Sequence, residues 1–126
     1  MARGFDPGAL LGQVYTLPTG RRVSLRLLRP SDAGGVRELC ARCGIDVGEL
    51  SLARLARADP RREVILCATS FMDRQERLVG IGSLALDTDQ RFAEILVDPD
   101  GTHGLHELLS EAVEGRAAAL RDAQAA

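Results

Sequence analysis

The chain contains neither lysine nor tryptophan, and aromatic residues make up only 3% of its 126 positions. A core that cannot rely on aromatic rings has to be assembled from Leu, Val, Ile and Ala. Because lysine is absent, arginine supplies all 16 basic side chains. A bias toward GC-rich codons is one explanation for this replacement, and protection from lysine modification, including self-acylation, is the other.

Several classes of partner and compartment are disfavoured by what the chain lacks. No stretch approaches the roughly 20 apolar residues of a membrane-spanning helix, so we expect no membrane contact. Basic residues are not in excess, since the formal net charge is −2, and this argues against a domain-wide nucleic-acid surface. Residues 1–12 lack the layout of a secretory signal. An odd count of three cysteines does not make a disulfide framework. We therefore expect a cytoplasmic protein.

The length of the chain favours a single domain with one core. Its glycines and Pro7 make residues 1–19 typical of a flexible lead-in. We predict a folded domain over residues 20–121, followed by a tail, 122–126, that frays.

Hydrophobic periodicity predicts four strands and three helices. Strands are predicted at residues 23–29, 64–69, 78–86 and 91–97. Helices are predicted from a cap at Ser31 to Gly44, over 49–58, and over 103–120. The order β-α-α-β-β-β-α, with two successive hairpins, indicates an α+β domain with a mostly antiparallel sheet flanked by helices.

Two stretches of the chain carry a resemblance to a known family. Residues 23–40 read VSLRLLRPSDAGGVRELC, and residues 91–109 read RFAEILVDPDGTHGLHELL. The first is similar to the opening strand, Arg-Pro-x-Asp turn and first helix of the GNAT superfamily of acyl-CoA-dependent N-acetyltransferases. The second resembles that family's fourth strand, turn and cofactor-binding helix. The resemblance covers about residues 20–120 and implies a GNAT-like fold.

The turn before the last helix is the predicted cofactor site. A short glycine-bearing turn between a strand and a helix presents free amides and the positive end of the helix dipole, which favour a pyrophosphate. In GNAT proteins the matching segment reads Gln/Arg-x-x-Gly-x-Gly/Ala, of which only Gly104 clearly matches here. The resemblance implies acetyl-CoA binding by eight residues: Leu96, Val97, Gly101, Thr102, His103, Gly104, Leu105 and His106.

Two further features of the family have no counterpart in this sequence. GNAT proteins continue into another strand that splays from the fourth one, and a Tyr beyond that strand often acts as general acid. No such strand follows here, and the single Tyr15 lies in the predicted lead-in. The C-terminal part of the family fold is therefore missing, and we expect a homodimer or another partner to complete the sheet.

Glu94 is the candidate catalytic residue, because FAEI resembles the segment that carries the general-base Glu in histone-type GNAT enzymes. A base is useful because an amine nucleophile is protonated at neutral pH. The alternative is a strand Glu that faces solvent or pairs with Arg91.

Other polar and small residues have plainer alternatives. His103 and His106 offer positive charge to a phosphate, or they are two surface side chains on a first helical turn. Cys40 and Cys43 form a lone C-x-x-C that is redox-active, binds zinc with Cys67, or packs as small apolar groups. We favour packing and predict no metal site. Gly80 and Gly82 admit a ligand, a bulge or a closely packed helix.

Three functions are consistent with these patterns. The first is a GNAT-like N-acetyltransferase that transfers an acetyl group from acetyl-CoA to a small-molecule or protein amine, with a site completed by dimerisation. The second is a non-catalytic GNAT-like module that binds a partner protein or a small effector. The third is a structural domain whose open sheet edge pairs with another chain.

Overall fold

A computed structural model describes residues 13–46, 48 and 59–125. A short 3₁₀ turn, Pro30–Asp32, precedes the first helix. The regular elements are β1 (Val14–Thr16), β2 (Arg22–Leu27), α1 (Ala33–Arg42), β3 (Glu63–Met72), β4 (Gln75–Ala85), β5 (Glu94–Val97) and α2 (Leu105–Ala125).

The five strands form one antiparallel sheet in the order β1-β2-β3-β4-β5. The predicted α+β class with an antiparallel sheet is therefore confirmed. The central strand β3 is buried from Val64 to Ser70, as its continuous apolar run predicted, because both of its faces are covered.

The two helices cover opposite faces of the sheet. Alternate residues of β2 and β3 point to α2, whose buried side chains include Leu105, Leu109 and Val113. The other face of β3 and β4 packs against α1 through Val36, Leu39 and Cys40. Burial of each such aliphatic side chain contributes about 1.5–3 kcal/mol, so the two apolar stripes hold the three layers together.

Helix α1 ends at the predicted glycine. Gly44 has a φ of +72°, the amide of Gly44 bonds the carbonyl of Ala41, and the amide of Ile45 bonds that of Cys40. This is a Schellman ending, which a glycine in the left-handed region makes possible. The predicted start is one residue early, because Asp32 rather than Ser31 precedes the first helical residue. The predicted helix over 49–58 lies outside the described residues.

Several element boundaries differ from the sequence predictions. Strand β1 lies within the predicted lead-in, residues 1–19, because Val14 to Thr16 pair with β2. Strand β2 ends at Leu27, two residues before its predicted end. Strand β5 starts at Glu94 rather than at residue 91. The amide of the preceding residue, Ala93, donates its hydrogen bond to Glu114 Oε2 at 3.0 Å instead of to a strand.

Helix α2 is shifted toward the C-terminus relative to its prediction. It begins at Leu105, because residues 103 and 104 form a turn, and it continues to Ala125. Residues 122–125, predicted as a frayed tail, therefore belong to the helix. Near its end Arg121 Nη2 donates to the carbonyls of Ala85 and Gln90 at 2.8 and 2.9 Å, which ties the last turns to the β4–β5 connection.

Candidate functional site

The connection from β5 into α2, residues 98–104, is built around two left-handed glycines. Gly101 has a φ of +70° and Gly104 has a φ of +90°. An L-residue with a side chain pays a steric cost in this region of about 1–2 kcal/mol, and glycine pays none. The backbone conformation therefore favours glycine at these two positions.

A turn from the other side of the chain is hydrogen-bonded to this loop. Residues 17–21, between β1 and β2, place the Thr19 hydroxyl 2.9 Å from the carbonyl oxygen of Gly101. Arg21 Nη1 donates to the carbonyl oxygen of Asp100, also at 2.9 Å. Pro18 packs against Gly104, because a Cβ added to Gly104 would stand only 3.1 Å from Pro18 Cδ.

These contacts orient the amides of the loop. In a trans peptide the C=O and the following N–H point in opposite directions. Since the carbonyls of Asp100 and Gly101 face the turn, the N–H groups of Gly101 and Thr102 face away from it. Neither amide donates a hydrogen bond to any other part of the chain that the structure describes. Successive free amides before a helix are an arrangement that binds anions. Here Gly101 is half-buried and Thr102 is buried, at 6% exposed.

Asp98 anchors the base of the loop. Asp98 is buried, with 4% of its surface exposed. Its Oδ1 accepts a hydrogen bond from the amide of Asp100 at 3.0 Å, and its Oδ2 accepts one from Arg42 Nε at 2.7 Å. Arg42 also donates through Nη2 to the carbonyl of Leu78 at 2.7 Å. The hydroxyl of Thr102 donates to the backbone carbonyl of Asp98. The loop is therefore tied to α1 as well as to β5.

The predicted loop residues divide into accessible and buried groups. His103 and His106 are exposed, so the imidazole of His106 does not lie inside the chain. The side chain of Leu105 is fully buried in the core beneath α2 and serves packing. Leu96 and Val97 lie on opposite faces of β5, against α1 and α2 respectively.

Arg21 is the residue of this region that the sequence analysis missed. Its guanidinium carbon lies 3.3 Å from the place where a Cβ on Gly101 would stand. A cation from a distant turn therefore lies beside Gly101. No local signal marks Arg21, because its partner Asp100 is 79 residues away along the chain.

Glu94 is exposed at the start of β5, opposite Ser83. Leu96, two residues further on, packs against the α1 cluster, so Glu94 lies on the α1 face of the sheet. Within the described ranges it makes no ion pair with Arg91. Three strand residues, or four steps of roughly 3.3 Å each, separate Glu94 from Asp98, the first residue of the loop.

Strand β5 is the last strand of the described sheet, with β4 as its only neighbour there. Its outer edge pairs with no strand among the described residues.

The cysteines pack as the sequence analysis favoured. Cys40 and Cys67 are buried in the α1 cluster. Burial raises the pKa of Cys67 to about 12 and also raises the pKa of Cys40. Cys43 Sγ donates to the carbonyl oxygen of Val97 at 3.3 Å. Over residues 13–46, 48 and 59–125, no three His, Cys, Asp or Glu side chains form a group that could hold a metal ion.

Gly80 and Gly82 are explained by helix packing. A Cβ on Gly80 would stand 2.8 Å from Leu109 Cδ1 of α2. One on Gly82 would stand 2.7 Å from Ile95 Cδ1 of β5 and 3.0 Å from Val113 Cγ2 of α2. The glycines therefore allow α2 to approach β4 closely, and Gly82 also makes room for Ile95.

Comparison of the chain with models of protein families, with curated proteins and with solved structures finds no match in any of the three. In the described part of the chain no helix combines the length and apolar character needed to cross a membrane.

Proposed function

We propose that this protein is a GNAT-like N-acetyltransferase that transfers an acetyl group from acetyl-CoA to a small-molecule or protein amine. The observation that carries the proposal is the pair of amides at Gly101 and Thr102, which have no acceptor among the described residues and point away from the turn that carries Thr19 and Arg21. A diphosphate needs donors that do not have to be released from other partners, and this loop has them.

The charge beside the loop supports the same ligand. Arg21 uses Nη1 for the carbonyl of Asp100 and retains further N–H donors on a guanidinium that is only half-buried. Guanidinium groups bind phosphate oxygens with strong, charge-assisted hydrogen bonds. Arg21 thereby supplies a donor side chain at the position where the family's motif has Gln or Arg.

In this proposal Glu94 is the general base. It takes a proton from the acceptor amine, whose nitrogen then attacks the thioester carbonyl. A C–N bond forms and the C–S bond breaks. The CoA sulfur leaves as a thiol, with the proton that the new amide nitrogen gives up. The exposed position of Glu94 on the α1 face leaves its carboxylate accessible to an acceptor amine. The open outer edge of β5 is where a second copy of the chain would complete the cofactor slot.

Titration calorimetry of the full chain with CoA tests the binding step. We expect CoA to bind, and we expect Arg21→Ala to weaken it about tenfold, the effect of one charge-assisted hydrogen bond. Arg61→Ala removes the same charge from an exposed position away from the loop and should leave affinity unchanged. The affinity for pantetheine, which lacks the diphosphate, should be the same in both variants as in the native chain. No heat at millimolar CoA would exclude the acetyltransferase.

Thiol release from acetyl-CoA with a panel of amines tests the chemical step. Loss of a general base costs about 10²–10⁴-fold in rate, so Glu94→Gln should lower turnover by that amount while CoA affinity stays the same. Full activity in Glu94→Gln would remove Glu94 from the mechanism. If the protein is fully active as a strict monomer, dimerisation is not needed to complete the site.

A second candidate is a non-catalytic GNAT-like module that binds a partner protein or small effector. The close cover of Gly104 by Pro18 and the unpaired edge of β5 favour it, because both restrict a complete cofactor slot and the edge offers a strand-pairing surface. Absence of CoA binding together with a partner that protects the β5 amides from hydrogen exchange would establish this alternative.

A further inference from the structure

A cavity on the sheet shares no lining residue with the loop at residues 98–104. It has a volume of about 440 Å³, in the range of small-molecule sites. Six residues that define its character are Val14, Arg22, Ser24, Arg29, Thr69 and Phe71. They belong to β1, β2, β3 and the connection that follows β2.

The floor of this cavity is formed by two polar side chains that lie next to each other. Ser24 and Thr69 are direct partners in the β2–β3 ladder, so both side chains rise from the same face. Thr69 is 6% exposed. The pairing of β3 with β4 shifts register between Ala68 and Thr69. Such bulges re-aim side chains and occur often beside binding sites.

The walls of the cavity are apolar, and none of the described residues covers them. Phe71 is 74% exposed and Val14 is 64% exposed, although both belong to strands. They lie on the α1 side of the sheet, beyond the residues that α1 covers. In a chain with four aromatic residues, an exposed ring beside a cavity is well placed to contact the hydrocarbon part of a ligand.

The net charge of the cavity is positive. Arg26 and Glu76 also line it, but they pair with each other at 2.7 Å, and Arg26 is further bound to Asp32 by two bonds of 2.7 and 2.8 Å. Arg22 and Arg29 form no ion pair within the described ranges. Two guanidinium groups are therefore left to attract an anion.

We propose that this cavity binds a small carboxylate with an apolar body. Arg22 and Arg29 bind the carboxylate, the Ser24 and Thr69 hydroxyls hydrogen-bond it, and Val14 and Phe71 contact the hydrocarbon. The site is independent of the proposed acetyl-CoA loop, since it shares no residue with Arg21 or residues 98–104.

Hexanoate, its neutral analogue hexanamide and inorganic phosphate are the probes for a test by ¹H–¹⁵N NMR titration of the full chain. We expect hexanoate to shift amides of β1, β2 and β3 around the cavity, and to bind about tenfold or more tightly than hexanamide. Phosphate should bind less tightly than hexanoate, because it cannot use the apolar walls.

Matched variants assign the site. Arg22→Gln and Arg29→Gln should each weaken hexanoate about tenfold, whereas Arg61→Gln should not change it. All three positions are exposed, and dispersed spectra of the free variants check that each is folded. Arg21→Ala should retain hexanoate binding whether or not CoA binds, which separates this site from the proposed cofactor loop.

Three results would overturn the proposal: no shifts with millimolar hexanoate, equal affinity for hexanamide, or unchanged affinity in both Arg22→Gln and Arg29→Gln. Tighter binding of phosphate than of hexanoate would also overturn it, since the ligand class would then be a phosphate rather than an apolar carboxylate.

Discussion

Gly80→Ala should destabilise the protein although it adds only one methyl group. The new Cβ would lie 2.8 Å from Leu109 Cδ1 and 3.1 Å from Leu105 Cδ2. Carbon atoms in favourable contact are about 3.5–4.0 Å apart. Leu105 and Leu109 are fully buried, so they cannot turn into solvent to make room.

The magnitude follows from two opposing effects. Overpacking a core by a methylene costs about 1–3 kcal/mol. Replacing a strand glycine restores about 0.5–1 kcal/mol by restricting the unfolded chain. The expected net loss is about 1–2 kcal/mol in the free energy of unfolding, roughly a 5–30-fold change in the unfolding equilibrium.

Equilibrium urea unfolding followed by far-UV circular dichroism measures this change, because the chain has no tryptophan for fluorescence. Gly34→Ala is the matched control. Gly34 is exposed on α1 and a Cβ there would meet nothing within 4 Å, so the same substitution should stabilise by about 0.5–1 kcal/mol.

A double substitution tests whether the Leu109 contact is the cause. Leu109→Ala should lower the free energy of unfolding by less in the Gly80→Ala background than in the native chain. The reason is that the added methyl then occupies space that the leucine vacated. If Gly80→Ala is as stable as the native chain, or if the two effects simply add, close packing of α2 on β4 is not what requires glycine.

Three further predictions concern backbone strain and buried charge. Asp73 and Arg74, in the β3–β4 turn, both have positive φ, at 52° and 65°, so Arg74→Gly should stabilise by about 1 kcal/mol in urea unfolding; an unchanged midpoint would contradict the strain. Asp98→Ala should destabilise by about 3 kcal/mol, because it leaves the Arg42 guanidinium without its carboxylate; a loss below about 1 kcal/mol would contradict this. Hydrogen bonds from Arg26 lower the pKa of Asp32, so this carboxylate adds stability above its unfolded pKa near 4, and that stability is lost as the pH falls through the folded pKa. Unfolding series from pH 6 to 2 should therefore show a smaller loss in Asp32→Asn than in the native chain, and parallel losses would refute the link.

Local patterns were enough for the main elements of the fold. Alternating residues from Val23 to Leu27 and the apolar run from Val64 predicted two strands that the structure contains. Gly44 predicted the end of α1 because a left-handed residue is needed there. These signals work because strand alternation, helical periodicity and helix endings depend on neighbours within a few residues.

Short elements with few buried residues were not predictable in the same way. Strand β1 has three residues, two of them exposed, and it exists through its pairing with β2. The start of β5 was placed too early because the amide of Ala93 is satisfied by Glu114, a helix residue, rather than by a strand.

The candidate sites required contacts between distant segments. The sequence indicated the loop around Gly101 and Gly104, but the clamp by Thr19 and Arg21 comes from about 80 residues earlier in the chain. The cavity beside Phe71 was not indicated at all, since it forms only where β1, β2 and β3 lie side by side.

By itself, the sequence determined the class of the fold, the positions of its long strands and helices, and the glycine that ends α1, because each of these depends on local sterics and periodicity. Only the tertiary structure decided which amides of the loop at residues 98–104 stay free, which glycines serve helix packing, and which arginines are left without a carboxylate. Those outcomes depend on which side chains meet across the sheet, and no window of neighbouring residues contains that information.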